Sequence, residues 1–270
     1  MRIAYFIKKN ILKGDARIEE VLKTLSGGGA EVYDAAFGAL RKGTDLLLCF
    51  GGDGTFLSAA GMAAVAGVPV LGINLGRMGF LAANPLAEVA QAVLDGLWTV
   101  EDLDLIQVDC EGPGIPGFRP YAVNEISLHR DTAEMLGVDV SVDGNPLPTY
   151  WADGLLVSTD AGSTAYNLSA GGPICIPGAG VRVISPVAPH NLNLRPLVVP
   201  GTSVITLCGK SRSGRMLLSL DNRSHLIPCS TRLTVSKAPF ALKRACIGKS
   251  NFIDALKSRF FWGQDVRNNG

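Results

Sequence analysis

The sequence predicts an α/β domain followed by an all-β one. A doubly wound α/β domain is expected over residues 1–98. A β-rich domain, antiparallel and sandwich-like, is expected over 99–249, with the tail 250–270 returning to the first domain. Three observations predict this. Apolar strand-like runs alternate with helix-like segments through the first third, the order of a mainly parallel sheet covered on both faces. From Trp98 the runs become short and turn-punctuated, with little helical period, which marks antiparallel strands. The tail "NFIDALKSRFFWGQ" is amphipathic again. A chain of 270 residues suffices for one large core or two modest ones.

Taken in order, "RIAYFI" reads as a short strand. "DARIEEVLKTLSGG" reads as a helix with Asp15 as N-cap, Ile18, Val21, Leu22 and Leu25 on one face, and Gly27 or Gly28 as terminator. "DLLLCF" is a continuous apolar strand, as expected when both sheet faces are covered. "TFLSAAGMAAVAG" reads as a small-residue helix and "VPVLGINLG" as a buried strand. "NPLAEVAQAVLDGL" predicts a helix capped by Asn84 with Pro85 at the first position. Its stripe is Leu86, Val89, Ala90, Val93, Leu94 and Leu97. The strands expected next include "LIQVDC", "AVNEISLHR", "LGVDVSVDGNPL", "GLLVST", "VRVISPV", "SVITLCG", "MLLSLD" and "RLTVSK", with "VDGN" and "KSRSGR" as turns. One or two helical turns are expected near "STAYNLSAGG".

Composition narrows the function classes. Hydrophobic residues make up 47% and charged residues 18%, which is globular composition. A formal net charge of +1 implies no bulk attraction to nucleic acid or to an anionic membrane. The six cysteines form no C-x-x-C pair and lie at no metal-ligand spacing to the three histidines, so a reducing compartment and no structural metal are expected. Residues 54–76 carry no charge, but Gly61, Gly67, Pro69, Gly72 and Asn74 punctuate them as helix, turn and strand. A soluble, cytoplasmic protein is the expectation.

The stretch "CFGGDGTFL" follows the third strand-like run directly. In an open α/β sheet, ligands bind beyond the carboxyl ends of strands. Gly51, Gly52 and Gly54 permit positive φ and close approach to the backbone. The helix entered at Thr55 offers free amides to phosphate. Asp53 stands in that turn without another acid before Glu88. Two tasks fit it: taking the proton of an attacking hydroxyl in phosphoryl transfer, or helping to hold Mg²⁺. A third reading is a plain helix cap or turn aspartate. Arg77, the only charge between Asp53 and Glu88, is a candidate phosphate contact. The P-loop pattern is absent, and the G-x-G-x-x-G fingerprint is missing at this turn. His190 and Arg195 are read as satisfying or bracing loops.

"GGDGTFL", "GINLGRMGFLA", "NEISLHR", "DGLLVSTDAGSTAYNLSAGGP" and "PHNLNLRPLVVP" occur in the order seen in NAD kinases, and the chain resembles that family over most of its length. The resemblance implies phosphorylation of the adenosine ribose 2′-hydroxyl of NAD by ATP, giving NADP. Asp53 would be the general base, with Gly54 against the same nucleotide. Phe80 would pack on adenine, its alternative being plain core. Asn124 and Glu125 would bond ribose hydroxyls. Thr164, Ala165, Tyr166, Ser169 and Ala188 would line the dinucleotide, and Asp153 would meet the nicotinamide carboxamide. Gly51, Gly52, Gly54, Thr55 and Arg77 would face ATP phosphates. Mg²⁺ would ride on those phosphates with no protein metal site, in a cleft between the domains of a homodimer or homotetramer.

Two departures from the family pattern stand out. Thr159, Asp160 and Ala161 replace a Thr-Pro-Thr type triplet, predicting a looser turn and a negative charge near the substrate. "LDNR" replaces Asp-Gly-Gln, with Arg223 expected at phosphate or in a solvent-facing turn. The rival readings are another kinase of the GGDGT type, acting on a lipid or sugar phosphate, and a non-catalytic dinucleotide-binding regulator.

Overall fold

Covered apolar runs become the inner strands of the first sheet. The computed structural model describes residues 1–8, 12–35, 40–76, 79–112, 115–248 and 252–260. The first elements are β1 (Arg2–Ile7), α1 (Ala16–Gly27), β2 (Glu31–Asp34), β3 (Leu46–Phe50), α2 (Asp53–Ala66), β4 (Val70–Asn74), β5 (Asn84–Pro85), α3 (Leu86–Leu94) and β6 (Trp98–Leu103). There follow β7 (Ile106–Glu111), β8 (Tyr121–Ala122), β9 (Glu125–Arg130), β10 (Leu136–Val142), β11 (Asn145–Pro146), β12 (Tyr150–Ala152) and β13 (Gly154–Thr159). A 3-10 turn (Ala161–Thr164), α4 (Tyr166–Ser169), β14 (Val181–Val187), β15 (Leu197–Pro200), β16 (Ile205–Lys210), β17 (Arg215–Leu220), β18 (Arg223–Pro228) and β19 (Arg232–Lys237) come next. β20 (Leu242–Ile247) and α5 (Phe252–Phe260) complete the described elements.

Two units emerge: Met1–Asp102 with Leu242–Gly270, and Leu103–Ala241. In the first, the strands run β2-β1-β3-β4-β20-β6, with β5 beside β4. The pairs β1–β2, β1–β3, β3–β4 and β4–β20 are parallel. Leu46, Leu48, Phe50, Leu71 and Ile73 share one core with Ile18, Val21 and Leu25 of α1 and Val89, Ala90 and Val93 of α3. Gly72 points to the other face, where a Cβ would lie 2.9 Å from Phe56 of α2. Helices therefore cover both faces, as a doubly wound layer requires. Asp15 caps α1 as expected, accepting the amide of Arg17 at 3.0 Å.

Two sequence expectations fail here. Asn84 does not cap α3, whose N-cap is Pro85. It lies in β5, donating to the Gly72 carbonyl at 2.8 Å and accepting the Ile247 amide at 2.9 Å. The chain also rejoins the first unit at Leu242, ahead of residue 250, because "LKRACI" forms β20 in parallel register with Val70 and Leu71.

In the second unit, one sheet runs β11-β10-β16-β19-β7-β8 with β12 beside β10, and the other runs β15-β14-β13-β9-β17-β18. Inward residues of both, including Val108, Val138, Leu207 and Val235 from one and Leu128, Val157, Ile184 and Leu218 from the other, make one core. The expected "VDGN" hairpin forms, with φ of 49° at Asp143 and 80° at Gly144, the positive pair a tight primed turn needs.

Candidate active site

β3 ends at Phe50, and the chain must turn at once into α2. Gly51 makes that turn with φ 146°. A Cβ there would strike the Thr55 hydroxyl at 2.5 Å, so only glycine fits. Gly52 and Gly54 do not need positive φ. Gly52 is the extended N-cap of α2. Both are exposed, and a Cβ on either would meet nothing within 4 Å. Their backbone lies open, and the Asp53 and Gly54 amides that open α2 have no carbonyl partner four residues back within the helix. Thr55, expected beside phosphate, is instead buried and gives its amide to the Gly52 carbonyl at 2.9 Å. Arg77 lies outside the described residues.

Asp53 begins α2 but does not cap it. Its carboxylate reaches across to the loop after β4, accepting the amides of Phe80 at 3.1 Å, Leu81 at 3.1 Å and Ala82 at 2.9 Å. Gly79 is forced by this approach, since a Cβ would lie 1.9 Å from Asp53 Oδ1. Phe80 is held a second time by buried Arg244, which donates to its carbonyl at 2.8 Å and pairs with Glu101 at 2.5 Å. The Phe80 ring is buried, packed on Phe252 and Phe260 of α5 with centroids 5.7 and 5.5 Å away. Arg259 of α5 lies over the same ring at 4.8 Å and 3.4 Å from Asp53 Oδ2.

The second unit gathers another set. Asn124 and Glu125 enter β9 over a turn built from Asp221. The Asp221 carboxylate accepts the amides of Val123 at 2.9 Å and Asn124 at 2.8 Å, and its own amide donates to the Glu125 carbonyl at 3.0 Å. The backbone of Gly162 packs directly on Asn124, where a Cβ would sit 2.1 Å from its carbonyl oxygen. Thr159 braces the same point, its hydroxyl donating to the Val123 carbonyl at 2.7 Å and accepting the Gly162 amide at 2.9 Å. Glu125 is buried with Oε2 unpartnered. Burial, then the Asp221 charge, pushes its pKa up to about 8, partly opposed by the Tyr166 amide that its carboxylate accepts.

From Glu125 the set continues along β9 and β13. The Tyr166 ring stacks on His129 at 5.5 Å and 27°. Burial lowers the His129 pKa, against the pull of the Asp153 charge, which keeps the stacked ring neutral near pH 7. Asp153 is clamped by Arg130 at 2.9 Å. Glu125, Tyr166, His129 and Asp153 thus act on one another within one face, and Thr164 and Ala165 lead directly into Tyr166. Ser169 ends α4 and is exposed. Ala188, also exposed, carries φ 47° just after Val187, whose carbonyl accepts the Asp153 amide.

Both sequence departures resolve against expectation. Asp160 is buried and tightens the turn: its carboxylate accepts the Ala161 amide at 2.7 Å and the Gly180 amide at 2.9 Å. Its charge also acts on buried Arg182. Arg223, half-buried, does not stand free in a turn but donates to the carbonyls of Arg119 and Tyr121. Sequence reasoning gave no site role to His129, Arg130, Asp221, Arg244 or Arg259, although "NEISLHR" holds the first two and "LDNR" the third. The "LHR" tripeptide after Asn124–Glu125 was the one signal available for the first two; the others act through contacts 80 or more positions away in sequence, such as Arg259 with Asp53.

A glycine-opened strand-to-helix turn bearing an acid in one unit, and a carboxylate and a stacked aromatic presented by the β-rich unit, are features that fit a nucleotide phosphotransferase. Residues 14–101 match the ATP-NAD kinase N-terminal domain and residues 123–245 the ATP-NAD kinase C-terminal domain. The chain is 41% identical over 232 residues to an NAD kinase of Porphyromonas gingivalis, covering 84% of this chain and 80% of that one. It is 40% identical over 235 residues to an NAD kinase of Flavobacterium psychrophilum, covering 85% and 80%. Among solved structures, an NAD kinase from Archaeoglobus fulgidus in complex with ATP superposes with a TM-score of 0.74 at 28% identity, covering 96% of this chain and 99% of that one. Yeast NADH kinase complexed with NADH shares the fold, with a TM-score of 0.86 at 22% identity over 100% and 90% of the chains. The chain belongs to the NAD kinase family.

Proposed function

We propose that this NAD kinase transfers the terminal phosphoryl group of ATP to the 2′-hydroxyl of the adenosine ribose of NAD, giving NADP and ADP. The observation that carries the reading is the Asp53 carboxylate at the first turn of α2, beside the open backbone of Gly52 and Gly54. Phosphate is favoured at such a turn by free amides and the helix dipole. Asp53 takes the proton as the ribose oxygen attacks the γ-phosphorus and the bond to ADP breaks. Positioning and charge neutralisation contribute most of the rate in such transfers. Asp53 Oδ2 accepts one amide where Oδ1 accepts two, so Oδ2 keeps a lone pair for that proton beside the Phe80 loop. Phe80 lies under α5, and its contact with adenine requires that cover to shift.

Asn124 and Glu125 bind the ribose hydroxyls. A neutral Glu125 both donates and accepts, which suits a diol and adds no charge beside the pyrophosphate. Tyr166, backed by His129, offers its ring to a base, Asp153 takes the nicotinamide carboxamide, and Thr164, Ala165, Ser169 and Ala188 line the dinucleotide. Among the described residues no group of three or more His, Cys, Asp or Glu could hold a metal ion. A Mg²⁺ carried by the ATP phosphates would neutralise their charge. Among the described residues no helix is long and apolar enough to cross a membrane, and we place the enzyme in the cytoplasm as a homodimer or homotetramer. Exposed Met135 and Trp151, which share one concavity with Lys210 and Arg212, offer a surface for self-association. Family membership decides against the lipid-kinase and regulator readings.

The test is a coupled assay for NADP from NAD, ATP and Mg²⁺, run beside Asp53→Asn. The parent is expected to turn over and the variant to fall by about a hundredfold or more. Equal rates would remove the base assignment, and no NADP from the parent would remove the proposed reaction.

A further inference from the structure

We propose that Arg259, on the C-terminal helix α5, is a catalytic residue that binds the phosphoryl group in transfer; the proposal rests on Asp53 marking the reaction centre. Arg259 Nη1 lies 3.4 Å from Asp53 Oδ2, and its guanidinium carbon lies 4.8 Å above the Phe80 ring. The contact with Asp53 is longer than the 2.7–2.9 Å of a charge-assisted hydrogen bond. The Asp53 oxygens already accept three backbone amides, and α5 is docked through Phe252 and Phe260 on Phe80. Neither partner depends on the other for its place. What the contact achieves is to hold a cation beside the acid, one-third exposed, where the open backbone of Gly52 and Gly54 receives phosphate.

Arginine suits this position chemically. Its planar fork stays charged at every working pH and meets two phosphate oxygens at once. Among the described residues, the other arginine near the loop, Arg244, is buried against the Phe80 carbonyl and Glu101, which leaves Arg259 as the described arginine there that can turn to an incoming triphosphate. In the reaction the 2′-oxygen bonds to the γ-phosphorus while the β–γ bridging oxygen leaves with its electron pair on ADP, and the hydroxyl proton passes to Asp53. Charge spreads over the three non-bridging oxygens meanwhile. Arg259 gives its donors to those oxygens.

The experiment measures NADP formation from NAD and ATP with Mg²⁺ for the parent, Arg259→Gln, Arg259→Lys, Arg259→Ala and Asp53→Asn, each first shown folded by thermal melting. Arg259→Gln is expected to lose about a hundredfold in kcat, with its KM for NAD within about threefold of the parent. Arg259→Lys keeps the charge without the fork and should fall between the two. Guanidinium ion added to Arg259→Ala should restore part of the rate, a rescue that mere packing on Phe80 does not produce. An Arg259→Gln kcat within about threefold of the parent, beside an inactive Asp53→Asn, overturns the Arg259 proposal alone. Lys and Gln variants equally impaired, without rescue, also overturn it. Asp53→Asn at parental rates, or a parent without NADP, takes down the reaction centre and Arg259 together.

Discussion

The carboxylates of Asp53 and Glu125 differ in how they are held. Asp53 accepts three backbone amides, from Phe80 to Ala82, so an amide in its place would turn an NH₂ group toward amides that also donate. Asp53→Asn therefore disturbs the loop as well as the chemistry, and its melting curve belongs beside its kinetics. Glu125 is buried with an unpartnered oxygen, and its pKa rises from the ordinary 4.5 to about 8. Burial penalises the ionised form, so between those values the folded state binds more protons than the unfolded one. Stability should be fully present below about pH 4.5 and should fall as pH rises toward 8. Glu125→Gln removes the titrating group. The melting temperatures of parent and variant should coincide near pH 5, and the parent should drop below the variant by pH 8.5. Parallel curves across that range would mean that Glu125 is not held protonated.

At the scale of an element, the segment from β13 through α4 shows how a departure from the family pattern is absorbed. Asp160 caps the 3-10 turn, ties Gly180 to it, and supplies charge to Arg182, which is 1% exposed and has Nε and Nη2 without partners. The Asp104 charge acts on Arg182 ahead of that of Asp160. Asp160→Ala should destabilise the protein by about 1–2 kcal/mol in urea denaturation, from the loss of a cap. A change under about 0.5 kcal/mol, the range of neutral surface substitutions, would show that the turn holds without the Asp160 cap. The same segment buries Asn167, which bonds the carbonyls of Ser163 and Pro173 and accepts from Ser185. Such a closed polar network holds Tyr166 where a flexible turn would not.

For the whole molecule, the metal and the copy number make the test. On the proposed reading, with Mg²⁺ carried by ATP, EDTA should abolish turnover while leaving the melting temperature of the apo-protein unchanged. A native mass by light scattering equal to one chain would remove the oligomer. The sequence by itself determined the alternation of strands and helices, the antiparallel character after Trp98, the glycine-aspartate turn and the run from Thr164 to Tyr166. Each of these is written in local periodicity or contiguous motif, where near neighbours along the chain settle the conformation. Tertiary structure alone decided that "LKRACI" joins the first sheet, that Asp53 grips a loop 27 to 29 residues away, that Asp221 shapes the Asn124 turn, and that Arg259 arrives 206 positions later. No local pattern encodes these, because a carboxylate or guanidinium finds its partner by where the fold brings it, and burial sets its charge only once the core has closed around it.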